Sequence, residues 1–308
     1  AKLIGLQNKE YYYGVDPASE RDKFAIVILE VWPDHRRVVY TWTTDKSDHR
    51  EKLKKSRSEE NDFYKYCVRK LRDLFKSFPP TEVLVDAGGG GIAIREAFRD
   101  KDKLKGTELP VYEVIEDGVE KESDDLEGHH ILRMVNFRDN KWLVGANYGL
   151  KKDLEDRLLL FPLIDPLAIG MAMEEDKEQG RVVQNDDGAY ALEIADTLES
   201  NMLEIEELKD ELAGIVISQT QNGLERWDTP DVSMAGKKKN RMRKDRYSAL
   251  LMANMGARTE SLRNKGITMN LDVGGFASSY LNKKSDGQAL YIGPAWFTQQ
   301  MKLTGWGN

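Results

Sequence analysis

Residues Phe24 to Val31 read Phe-Ala-Ile-Val-Ile-Leu-Glu-Val, a strand apolar almost throughout. A strand of this kind belongs inside a sheet, with other elements packed over it. Two further strand-like runs bracket it, Tyr11 to Asp16 and Val38 to Thr43. Pro17-Ala18-Ser19-Glu20 breaks the first run, and Asp34-His35 forms the turn before the third. Links this short favour an antiparallel meander. Asn61 to Phe75 then carries Phe63, Tyr64, Cys67, Leu71, Leu74 and Phe75 at helical spacing, and Pro79-Pro80 stops that helix. Glu82 to Asp86 is a short buried strand, four glycines follow, and a helix is expected from Ile92 to Phe98. Leu109 to Ile115 is another strand candidate. A meander followed by crossover units predicts an α/β fold, a mixed β-sheet flanked by helices.

Further on, Ile131 to Val135 is expected as an edge strand and Lys141 to Leu158 as a helix. Ile194 to Leu212 is a long acidic helix with Leu198, Met202, Ile205, Leu208 and Leu212 on one side. That stripe is expected to face the core. Gln221-Asn222-Gly223 is a hairpin turn signal between Ile215–Gln219 and Leu224–Trp227. These elements form a helical and hairpin insertion before the last expected helix, which opens at Asp245 and runs to Met255. Residues 1–257 read as one domain. Residues 258–308, rich in Gly, Ser and Asn, read as a tail, loosely structured or packed on that domain.

A single cysteine, Cys67, rules out an internal disulfide and a thiolate metal cluster. No run approaches the roughly 18 apolar residues of a membrane span, and no apolar N-terminal segment resembles a secretory signal. A reducing cytoplasm is the default compartment. The chain opens on Ala1 rather than Met, as a processed chain or a fragment would.

The net charge of −7 argues at first against a nucleic-acid partner, but the charges are not evenly spread. Glu113 to Glu127 holds eight acids and one base, and so does Glu193 to Glu211. Lys237 to Arg246 holds seven bases and one acid. Lys237, Lys238, Lys239, Arg241, Arg243, Lys244 and Arg246 are therefore the candidate phosphate contacts. A solvated polar loop is the simpler account of the same run.

Asp16 ends the first strand and Asp86 the fourth; Asp245 opens the late helix inside the basic run. All three stand where an apolar element meets a polar break, the usual place for functional residues in an α/β sheet. Hard cations such as Mg²⁺ or Mn²⁺ prefer oxygen ligands, and a pair of them can drive phosphodiester hydrolysis. Three carboxylates brought together without a cation would repel one another. Taken singly, Asp16 could begin a turn, Asp86 could cap one, and Asp245 could be a first-turn acid favoured by the helix dipole.

The order of elements and three motifs carry a resemblance. They are Tyr13-Gly14-Val15-Asp16-Pro17-Ala18, Val83-Leu84-Val85-Asp86-Ala87-Gly88-Gly89, and Arg243-Lys244-Asp245-Arg246-Tyr247-Ser248-Ala249-Leu250-Leu251. Asn147 to Leu154 and Leu159 to Pro162 add to it. The chain resembles the ribonuclease H-like superfamily, and within it the nuclease domain of the large terminase subunit of tailed phages, over roughly residues 10 to 257.

That resemblance implies a metal-dependent endonuclease that cuts double-stranded concatemeric viral DNA during genome packaging. Asp16, Asp86 and Asp245 would be its catalytic, metal-binding acids, holding one or two Mg²⁺ or Mn²⁺ ions. Water would attack in line and leave a 3′-hydroxyl. Asp22 lies where a further acid is often seen, though a surface turn residue is its first reading. Some relatives have a histidine near the last acid; none stands near Asp245. Implied partners are DNA, the portal protein, the small terminase subunit and an ATPase domain whose phosphate loop is missing here. The implied place is the host cytoplasm at the procapsid, with no membrane and no secretion.

Two other classes stay open. An actin-like or sugar-kinase-like ATPase would use Asp86-Ala87-Gly88-Gly89-Gly90-Gly91 to cradle phosphate, and its fold should duplicate. A non-catalytic DNA- or capsid-docking module would use the basic segment and the acidic helix as contact surfaces. His129-His130 reads as the polar start of a strand, and Trp227 as packing rather than a DNA-channel wall. A segment between Gly180 and Asp228 could gate the site.

Overall fold

In the computed structural model the meander is β1 (Glu10–Asp16), β2 (Phe24–Val31) and β3 (Arg36–Thr44), paired antiparallel. The structure describes residues 1–17, 22–55, 60–116, 119, 121, 123–184, 190–192, 196–219, 225–232, 240–241, 243–264, 281–282 and 290–291. β4 (Pro80–Asp86) lies parallel to β1 on its free side. Beyond it come β5 (Val111–Glu113) and β6 (His129–Val135), both parallel, with β6 next to β4. β7 (Leu159–Leu160) closes the other edge beside the start of β3. The seven-stranded order is β5-β6-β4-β1-β2-β3-β7, a mixed sheet.

Both faces are covered, which is why β2 can be apolar almost throughout. Strand alternation sends Tyr11, Tyr13 and Val15 into one core with α2 (Phe63–Ser77) and α3 (Gly91–Arg99). A polar helix, α1 (Lys46–Lys55), precedes them. Tyr12, Ala25, Val27 and Leu84 face the second core, under α4 (Asn140–Glu155) and the later helices α6 (Leu198–Ala213) and α7 (Asp245–Asn264). On the acidic helix Ile205 and Leu208 are fully buried, so its stripe does face the core.

The insertion between β7 and α7 holds α5 (Pro166–Glu178), hairpin β8 (Val182–Gln184) and β9 (Tyr190–Leu192), then α6. Hairpin β10 (Val216–Gln219) and β11 (Glu225–Asp228) follows, with the short pair β12 (Asp231–Val232) and β13 (Asn240–Arg241). The Gln221-Asn222-Gly223 turn lies outside the described residues.

Several elements differ from expectation. Ile131 to Val135 is not an edge strand: the three-residue β5 pairs outside it and takes the edge. α4 stops at Glu155 because Arg157 turns left-handed at φ 57°. The Leu158 and Arg157 N–H groups then donate back to the Asp153 and Leu154 carbonyls, closing the helix end. α6 starts at Leu198, where the Thr197 hydroxyl caps the Ser200 N–H, rather than at Ile194. α7 runs on to Asn264, past residue 257. Of the expected tail only the pair β14 (Leu281–Asn282) and β15 (Leu290–Tyr291) is described beyond α7. Among the described residues, no helix is long and apolar enough to cross a membrane.

Candidate metal centre

Asp16 and Asp86 end neighbouring parallel strands. β1 and β4 pair Gly14 with Leu84 and Val15 with Val85, so the next step of that register sets the two aspartates side by side. Alternation turns both toward the face that α7 covers. A tight turn follows Asp86. Gly89 has φ +53°, and a Cβ on Gly91 would meet the Asp86 carbonyl oxygen at 2.0 Å. Glycine is required there for α3 to start directly after the strand. The Gly88 N–H donates to Asp86 Oδ1 at 3.0 Å and fixes the carboxylate across that turn.

Asp245 reaches the same place from the far end of the sequence. α7 lies across β1 and β2 with Tyr247, Ala249, Leu250, Leu251, Met252 and Ala253 buried. The contact is close because β1 carries Gly14, where a Cβ would sit 1.8 Å from the Ala249 carbonyl oxygen. This approach brings the first turn of α7 over the end of β1. Asp245, 8% exposed, accepts the Lys23 N–H at 3.0 Å. Ser248, one turn on, hydrogen-bonds Asp16.

The electrostatics follow from this crowding. Burial first, then Asp245, then Asp86, push the Asp16 carboxyl well above the usual carboxylate range. The Ser248 hydrogen bond works against them, and Asp22 adds to them. Asp245 is pushed up to about 6, by burial first and then by Asp22 and Glu211, against the Lys23 N–H and Arg243.

A hard divalent cation suits this chemistry. The charged neighbours of Asp16 are all carboxylates, Asp245, Asp86 and Asp22, and they raise its proton affinity, as repelling anions do. Among the described residues, no three His, Cys, Asp or Glu side chains are drawn tightly enough to chelate an ion as they stand. Mg²⁺ commonly keeps several waters and takes one or two carboxylates directly, so a closed cage is not required.

The basic segment divides. Lys237, Lys238 and Lys239 lie outside the described residues, and Arg241 is described in its backbone alone, paired with Asp231. Arg243 is exposed. Lys244 pairs with Asp228 at 3.3 Å, tying the end of β11 beside Asp245. Arg246 departs from its expected role as a DNA contact. It is 5% exposed and bonded to Glu204 and Glu211 of α6, so it faces the interior. Trp227 packs edge-on against Tyr148 of α4, with ring centroids 5.2 Å apart. His130 hydrogen-bonds the Glu113 and Leu126 carbonyls at the start of β6. One sheet of this strand order is present among the described residues, without the second copy an actin-like ATPase would show.

Sequence reasoning missed Ser248 and Glu211. Ser248 had a signal, standing one helical turn from Asp245 in the quoted motif. Glu211 had only its place three residues after Leu208 on the buried stripe.

No family model matches the chain, and no curated protein matches it in sequence. Among solved structures the chain is similar to the large terminase nuclease of thermophilic phage G20c. Identity is 12% over 82% of this chain and 84% of that one, with a TM-score of 0.46. The values are the same for that nuclease with bound magnesium. The chain is also similar to the large terminase nuclease domain of Thermus phage P74-26, at 11% identity over 81% of this chain and 80% of that one, TM-score 0.39.

Proposed function

We propose that this chain is a metal-dependent endonuclease that hydrolyses double-stranded DNA, acting on concatemeric viral genomes during packaging. One observation carries it: Asp16 and Asp86 end adjacent parallel strands, and α7 sets Asp245 and Ser248 over the same spot. The packaging context, with the portal, the small terminase subunit and an ATPase domain as partners, follows from the sequence motifs around these residues.

In this mechanism Asp16, Asp86 and Asp245 hold one or two Mg²⁺ or Mn²⁺ ions. A bound cation supplies Lewis acidity to the phosphodiester and lowers the pKa of a coordinated water. The protein's own part is placement. The Gly88 N–H orients Asp86, the Lys23 N–H orients Asp245, and Ser248 orients Asp16. Arg243 stands exposed two residues before Asp245 and serves as a phosphate contact that positions the duplex without reading bases.

The test is nicking of supercoiled plasmid with Mn²⁺ or Mg²⁺ and no ATP. Asp86→Asn should lose about a thousandfold or more in rate, because the remaining acids cannot replace its charge. Nicking at the wild-type rate by that variant would show the assignment to be wrong. Arg243→Gln should weaken DNA binding equally for unrelated sequences. It should also reduce the slope of log affinity against log salt by about one. Fluorescence anisotropy at several salt concentrations measures both.

A further inference from the structure

Arg246 and Glu211 are ionised side chains buried beside the candidate site, with no part in the chemistry proposed above. Their contacts form one chain from α6 to the first turn of α7. Arg246 Nε donates to Glu204 Oε2 at 2.8 Å, and Arg246 Nη1 donates to Glu211 Oε1 at 2.7 Å. The other oxygen of Glu211 accepts the Tyr247 backbone N–H at 3.0 Å. Glu204 also accepts the Thr43 hydroxyl at 3.0 Å, which ties the chain to the end of β3. The side chains of Arg246 and Glu211 are only 6% and 7% exposed.

The position of these bonds matters. The first N–H groups of a helix have no partner inside the helix, and an acid in the first turn tends to fold back onto them. Asp245 is such an acid. Glu211 already occupies the Tyr247 N–H, and Arg246 holds Glu211 in place. Asp245 is thereby left to meet the Lys23 N–H and face Asp16.

Resting on the nuclease reading, we propose that Glu211 and Arg246 are positioning residues, a clasp that keeps Asp245 turned toward the metal rather than back onto its own helix. Neither touches metal or DNA. Their loss loosens the third ligand while the other two stay fixed by β1 and β4. The effect then falls on metal affinity more than on the rate at saturating metal.

The experiment uses the full chain with Mn²⁺, whose binding is followed by the loss of its free-ion electron paramagnetic resonance signal. Cleavage is measured in parallel as a function of Mn²⁺ concentration. Glu211→Gln puts an amide donor against Arg246, and Arg246→Lys keeps the charge but cannot span both glutamates. Each should bind Mn²⁺ at least tenfold more weakly and need correspondingly more for half-maximal cutting. The rate at saturating Mn²⁺ should fall less than threefold. Leu71→Ala, a cavity under the opposite face of the sheet, serves as a control for lost stability and should leave the Mn²⁺ requirement unchanged. If Glu211→Gln does not fold, Arg246→Lys carries the same readout. Wild-type Mn²⁺ affinity in the folded clasp variants, or an equal loss in Leu71→Ala, overturns the clasp alone. A wild-type chain that binds no Mn²⁺ overturns it together with the nuclease reading.

Discussion

Asp245→Asn should unfold at a higher temperature than the wild-type chain at pH 7.5 in EDTA, and should cut no DNA when Mn²⁺ is supplied. The sign comes from proton binding. Folded, the Asp245 carboxyl keeps its proton up to about 6; unfolded, it releases it near its ordinary value of 3.8. Between those values the folded state binds more protons, so stability falls as the pH rises and its loss is complete above about 6. Roughly two pH units correspond to about 3 kcal/mol at most, and to a melting difference of about 5–10 °C. Asparagine has no proton to release and keeps an oxygen for the Lys23 N–H. Below pH 4 the two proteins should melt together, and they should separate as the pH rises. Saturating Mn²⁺ should reverse the order, because the wild-type site, with all three acids, gains more binding free energy from it. A metal-free asparagine variant less stable than wild type at pH 7.5 would contradict the crowding described around Asp16. Thermal melts across pH, with and without Mn²⁺, measure all of this.

The second large effect is expected at Gly14. Adding one methyl group there puts carbon 1.8 Å from the Ala249 carbonyl oxygen and 2.8 Å from the Ala253 nitrogen. These are backbone atoms of a helix and cannot turn aside as a side chain would. α7 must withdraw by more than an ångström. Overpacking of this kind costs about 3 kcal/mol, which lowers the melting temperature by about 5–10 °C. α7 carries Asp245 and Ser248 with it, so cutting should fall by about a hundredfold or more even where the protein is folded. Gly14→Ala with wild-type stability would mean that α7 does not lie against β1 as described.

The sheet was legible because its strands carry their own evidence. Phe24–Val31 is a strand with the expected bounds. Asp16 and Asp86 were visible for the same reason, as acids at the ends of apolar runs. Side-by-side register was not visible, since strand pairing is a property of two segments and no spacing in one of them reports it. α5 escaped notice because it buries only Ala172 and Asp176, while Leu167 and Met171 stay exposed, so its apolar residues do not mark the side that packs. Arg246 was misread because a basic run looks uniform in sequence. α7 begins at Asp245, so Arg243 precedes the helix and stays exposed, while Arg246 lies in its first turn and is buried against α6. The acidic partners that hold Arg246 come from α6, 35 and 42 residues earlier.

The arrival of Asp245 on the last helix of the sheet's second core has a consequence in time. At a synthesis rate of about 5–20 residues per second, the roughly 160 residues between Asp86 and Asp245 take about 8–30 seconds to emerge. Until then the strands that carry the first two acids hold Tyr12, Gly14 and Leu84 without α7 lying on them. The chain is therefore born with its candidate metal centre incomplete and an open apolar flank. The same docking event, α7 settling onto Gly14, closes both. On the proposed nuclease reading, a nascent or partly folded copy cannot cleave, and cleavage would report that the domain has finished folding.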